Sequence, residues 1–165
     1  MQWDSGTAGQ SWTDVTLPVQ SFNGTSTIAV DDVLQGESYQ FQIRARNIYG
    51  FGPFSNVVTV VASAVPGEPD IALTTTQATG VVISFYAPDN NGATITGYTI
   101  LFEGLDSKFY DSPECDATLT PGTNGYFSCT ASFLSLRSAP FDLVYGSLVS
   151  VIVQSTNNIG TGEFS

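Results

Sequence analysis

The feature that most constrains this chain is that it repeats itself. Compared with itself at an offset of 110 residues (157 minus 47), Tyr39–Ser55, YQFQIRARNIYGFGPFS, returns as Val149–Ser165, VSVIVQSTNNIGTGEFS. Asn47 recurs as Asn157, Gly50 and Gly52 as Gly160 and Gly162, Phe54 and Ser55 as Phe164 and Ser165, and upstream Gly36 as Gly146. Met1 and Trp3 recur as Ile100 and Phe102 at an offset of only 99, so the second copy carries extra residues in between, around Cys115 and Cys129. A chain of 165 residues holding two copies of one unit folds as two small domains rather than one large one.

The unit is built from strands. Phe41, Ile43 and Ala45 alternate with Gln42, Arg44 and Arg46, the period-two pattern of a half-buried strand. Val81, Ile83 and Phe85 alternate with Val82, Ser84 and Tyr86, and Tyr98, Ile100 and Phe102 with Thr99, Leu101 and Glu103. Turn signals lie between such runs: Asn23-Gly24, Gln35-Gly36, Pro66-Gly67, Asn91-Gly92, Pro121-Gly122 and Asn124-Gly125. No stretch shows the periodicity of an amphipathic helix. Only 12% of the residues are charged, so Ser, Thr, Asn, Gln and Gly carry the polar surface, which suits strands and turns. The expectation is an all-β sandwich.

These residues resemble fibronectin type III domains, an Ig-like class of sandwich. Tyr39–Ser55 is similar to that family's strand F and the turn into strand G, and VVISFYAPDNNGATITGYTI, residues 81–100, to its strands B and C. Phe85 stands where the family usually has a core Trp, and Tyr39 fits its tyrosine corner, which the second copy replaces by Val149, with Tyr145 as a substitute corner. The resemblance implies two sandwiches in tandem, the first lacking strands A, B and part of C and the second lacking strand G. The borders it gives are a partial domain over 1–62 (strands C to G), a linker over 63–69, and a domain over 70–165 (strands A to F) with a cysteine-bearing insertion at about 105–130. The insertion is similar to tandem arrays in large surface proteins of protists. Met1 falls at an inward strand position and reads as a core residue, so the chain is expected to be an excerpt of a longer array; completion by strand exchange between identical chains is the alternative.

The sequence has no histidine, which removes the usual general base at neutral pH and rules out Ser/His/Asp and Cys/His catalysis. No enzyme and no cofactor are expected. Four basic residues against fifteen acidic ones argue against nucleic acid and anionic membranes, and no apolar run is long enough to span a bilayer. The expected role is a structural or adhesive segment of an extracellular or cell-surface protein. Its partners would be adjacent repeats, identical chains, or other extracellular proteins and glycans. Cys115 and Cys129 are expected to form a disulfide, with two free thiols as the alternative. Asn23-Gly24-Thr25 is an N-glycosylation sequon. Arg44 and Arg46 hold half the basic charge and are expected on the outward face of strand F, stacked across the sheet on Trp12 as a surface contact. Trp12, Tyr49 and Tyr110 are candidates for stacking on sugars. Asp31-Asp32, Glu68 with Asp70, and Asp106, Asp111, Glu114 and Asp116 have no calcium-loop spacing and read as solvated carboxylates, so no metal site is assigned.

Overall fold

The computed structural model describes residues 1–15, 32–115 and 125–165. The chain divides into two compact units, Met1–Ser63 and Ala64–Ser165.

In the first unit, β1 (Gln2–Trp3), β2 (Thr13–Asp14), β3 (Ser38–Gln42) and β6 (Val58–Val61) form one antiparallel sheet in the order β2-β1-β3-β6. Between β3 and β6 lies a small hairpin, β4 (Arg46–Asn47) paired with β5 (Gly50–Phe51). In family lettering this is C′-C-F-G. Trp3 packs on its cross-strand partner Phe41 and on Tyr39, with ring centroids 6.3 and 5.6 Å away. The Tyr39 hydroxyl accepts a bond from the Leu34 amide at 2.8 Å, closing the tyrosine corner. Among the described residues of this unit only Asp4 and Tyr39 are buried, and no second sheet covers the first.

The second unit has two three-stranded sheets. One is E-B-A: β11 (Phe127–Ser132), β8 (Gly80–Phe85) and β7 (Leu73–Thr76). The other is C′-C-F: β10 (Phe109–Asp111), β9 (Ile95–Glu103) and β12 (Val151–Asn157). The inward residues of both meet in one core of Val81, Ile83, Phe85, Ile100, Phe102, Cys129, Ala131 and Val153, joined by Cys115, Leu136, Phe141 and Leu143. Phe85, in the place of the family's Trp, meets Tyr98 edge-on at 5.1 Å and stacks on Phe127 at 5.8 Å. The alternation in β8 is the expected one, with Val81, Ile83 and Phe85 buried and Val82 and Ser84 less so. Asn91-Gly92 makes the turn between β8 and β9, both residues at positive φ, with the Ala93 amide bonded back to the Asn90 carbonyl. Gly80 sits opposite Ser132, where a Cβ would run into the Ala131 carbonyl oxygen.

The strand registers reproduce both offsets of the repeat. Trp3 pairs with Phe41 as Phe102 pairs with Val151, and Gln2 with Gln42 as Leu101 with Ile152. Outside the strands, Asp4 N–H donates to the Gln40 carbonyl as Glu103 N–H does to that of Ser150.

Three details differ from the sequence reading. A single helical turn, α1 (Phe133–Leu136), follows β11, capped by the Ser132 hydroxyl on the Ser135 amide; four residues are too few to show a helical period. Tyr145 does not rebuild the tyrosine corner, since it is 92% exposed; Leu136, Phe141 and Leu143 fill the space before β12 instead. Residues 64–67, within the stretch read as linker, are bonded into the second unit: Ala64 and Gly67 amides donate to the carbonyls of Asn91 and Asp89.

Candidate functional site

The hairpin Ile43–Ser55 of the first unit carries the charge that the sequence singles out. Its main chain closes through Gly52 N–H to the Ala45 carbonyl and Ser55 N–H to that of Ile43, while the Ser55 hydroxyl accepts from the Ile43 amide. At its tip Asn47 Oδ1 accepts from Tyr49 N–H at 2.9 Å. The second unit repeats this set 110 residues later: Gly162 to Ser155, Ser165 to Val153, Val153 to the Ser165 hydroxyl, and Ile159 to Asn157 Oδ1. The shared Asn-x-x-Gly-x-Gly-x-Phe-Ser pattern is thus the chemical specification of this hairpin.

On that frame the Arg44 guanidinium lies 4.2 Å from the centre of the Phe51 ring and 4.5 Å from that of Phe54, and Arg46 lies 5.1 Å from Phe51. Among the described residues, Trp12 is not a ring partner of either arginine, contrary to expectation. The reason is that β3 ends at Gln42. Beyond it the chain pairs with itself, turning the arginines onto rings of their own hairpin instead of across to the C′ side. Each such contact contributes about 0.5–1 kcal/mol at an exposed site. Ile48 and Tyr49 at the tip are 92% and 90% exposed.

The remaining candidates are dispersed. Cys115 and Cys129 form the expected disulfide, Cα atoms 5.5 Å apart, and both are buried in the second core. Trp12 is half-buried and Tyr49 is at the hairpin tip of the first unit, whereas Tyr110 belongs to β10 of the second, where its ring meets Phe141 edge-on. The Tyr110 hydroxyl donates to Asp106 at 2.8 Å, and Lys108 lies 3.2 Å from the same carboxylate. The Tyr110 bond, with Lys108 adding to it, holds the Asp106 pKa below the usual carboxylate range; the same bond raises that of Tyr110. The Glu114 carboxylate accepts from both the amide and the hydroxyl of Ser132. Asn23, Asp31 and Asp116 lie outside the described residues.

Two anchors escape a reading based on exposed charge. Asp4 is fully buried and accepts bonds from the amides of Gly6, Gly9 and Gln40, tying the turn after β1 to β3. Burial pushes its pKa up, but the amides of Gln40, Gly6 and Gly9 together outweigh burial and leave it lowered. The spacing Asp-x-Gly-x-x-Gly is the signal that announces such a turn. In the second unit the Asn157 amide donates to the Ala64 carbonyl at 2.7 Å, fastening the segment before β7.

The fold and these sites define a class of module, an antiparallel β-sandwich repeat. The sequences it resembles carry the domain's name. Fibronectin type-III domain-containing protein 3A of Homo sapiens is 30% identical over 139 residues, covering 77% of this chain and 11% of that protein. The Pongo abelii protein of the same name is also 30% identical over 139 residues, covering 77% of this chain and 12% of its own length. Protein sidekick-1 of Gallus gallus is 31% identical over 98 residues, 59% of this chain and 4% of that protein. The two units are fibronectin type III domains, and the chain spans about a tenth of the length of the first two relatives. No family model matches the chain. Solved structures aligned with it include domains A168–A170 from titin, at 16% identity and a TM-score of 0.46 over 99% of this chain and 50% of that one. Chicken CNTN1 FN1-FN3 domains align at 16% identity and a TM-score of 0.41, over 99% and 52%.

Proposed function

We propose that this chain is a non-catalytic structural or adhesive stretch of a longer extracellular or cell-surface protein, made of tandem fibronectin type III domains. The observation that carries the reading is the recurrence of one hairpin bond set in both units at a constant offset of 110. Duplication has kept a main-chain frame while changing the side chains on it, as in arrays whose function is length and surface. The buried Cys115–Cys129 bridge supports an oxidising compartment. Adjacent repeats of the same protein are the natural neighbours.

Expression of this chain through a secretory host, followed by non-reducing peptide mapping, tests the reading. The expected map shows Cys115 linked to Cys129, and the peptide holding Asn23 reports in the same experiment whether the sequon carries a glycan. Secreted protein with both thiols free would contradict the proposal.

A further inference from the structure

The two units close the same hairpin but dress it differently. At the offset of 110, Arg44 corresponds to Gln154, Arg46 to Thr156, Tyr49 to Ile159 and Phe51 to Thr161. In the second unit the hydroxyls of Thr156 and Thr161 meet at 3.3 Å across the hairpin, where the first has Arg46 over Phe51. The fold therefore makes this turn without arginine or phenylalanine. What the first unit gains from them is a surface: two guanidinium groups placed over a ring, beside an exposed Ile48-Tyr49 tip. Among the described residues neither arginine has a carboxylate within ion-pair distance, so their charge is available to another molecule. Arginine and tyrosine at the edge of an apolar patch are what protein interfaces concentrate.

A surface of complementary kind lies on the second unit. The first unit has five acidic residues against Arg44 and Arg46, a net charge of −3 (2 minus 5); the second has ten against Lys108 and Arg137, a net charge of −8 (2 minus 10). On its β9–β10 hairpin, Leu105 and Phe109 are exposed apolar residues. Glu103 pairs with Phe109 across the hairpin, and Asp111 follows on the same strand. This patch offers the carboxylates of Glu103 and Asp111 beside apolar area, and its one cation, Lys108, is paired with Asp106 in the turn.

We propose that the Ile43–Ser55 hairpin of one copy docks on the acidic β9–β10 hairpin in the second unit of another copy, joining chains head to tail. The proposal rests on the reading of the chain as an array segment. A contact between two different patches does not close on itself by a two-fold axis, so it extends linearly unless the rotation closes a ring. It brings charge together and weakens as salt rises.

Sedimentation velocity of the whole chain across a concentration series at low and high salt reads it directly. The parent is expected to associate at low salt and to dissociate at high salt. A variant with Arg44→Gln and Arg46→Thr, residues that the second unit already accommodates in the same hairpin, is expected to associate at least about tenfold more weakly with its tryptophan fluorescence unchanged. Mixing an Arg44→Glu, Arg46→Glu chain with a Glu103→Lys, Asp111→Lys chain is expected to give alternating mixed oligomers, whereas neither chain associates alone. A monomer under all conditions overturns the proposal, as does association that strengthens with salt or ignores the arginine substitutions. A secreted monomer with Cys115–Cys129 closed would defeat the docking alone, whereas free thiols in the secreted chain would defeat the reading beneath it.

Discussion

Asp4 shows how one side chain organises a turn. Its Oδ1 serves the amides of Gly6 and Gln40 and its Oδ2 that of Gly9. Asp4→Asn keeps one acceptor oxygen but turns an NH2 toward the Gly9 amide, so it is expected to cost about 1–3 kcal/mol. Both tryptophans, Trp3 and Trp12, lie in the first unit, so a fluorescence melt reads this change without the second. The folded pKa of Asp4 is lowered, so its stabilisation is complete above the ordinary carboxylate range. It is lost as pH falls through the lowered folded value, and Asp4→Asn should remove that loss. Asn157 makes a second residue-scale case. It is buried and its amide holds Ala64, whereas the corresponding Asn47 is exposed and its side chain bonds only to the Tyr49 amide among the described residues. Asn157→Ala is expected to cost about 2–3 kcal/mol in chemical denaturation and Asn47→Ala under about 1 kcal/mol. Equal costs would contradict the assignment. The asparagines are legible in the sequence as a repeated pair. Their different duties are not, because the carbonyl that Asn157 meets lies 93 residues away.

At the scale of elements, the hairpins again provide an internal control. A Cβ on Gly162 would strike the Pro66 carbonyl oxygen, whereas one on Gly52 finds only the Ala45 carbonyl at 3.8 Å. Gly162→Ala should therefore destabilise its unit and speed exchange of the Gly67 amide, while Gly52→Ala leaves its unit nearly unchanged. The disulfide is the other element-scale test. Replacing Cys115 and Cys129 together by alanine removes a link over a separation of 14 residues and is expected to cost about 3 kcal/mol. The tryptophan signal should not move. Strands such as β8 are plain in the sequence because alternation survives wherever a second sheet lies opposite. Alternation in residues 41–46 also predicts a strand, yet β3 stops at Gln42, opposite Gln2 where β1 begins. Beyond it only the hairpin closure through Ala45 and Gly52 remains, whereas β12 with the same closure runs on to Asn157 against the longer β9. The arginine–phenylalanine contacts follow from that local closure, which period-two reading does not register.

For the molecule as a whole, the decisive contrast is burial at matched positions. Val153 in β12 is fully buried, while Ile43, its counterpart 110 residues earlier, is 51% exposed. The twelve-residue core belongs to the second unit, where sheets E-B-A and C′-C-F face each other. The described part of the first unit has one four-stranded sheet and the small β4-β5 hairpin, with no sheet packed face to face on the first. Order in the two units should therefore differ by far more than their sequences do. Hydrogen exchange resolved by segment tests this most directly. Amides in residues 80–85, 95–103, 127–132 and 151–157 are expected to exchange slowly and together, and those in 38–42 and 58–61 orders of magnitude faster. Equal protection of β3 and β12 would contradict the account.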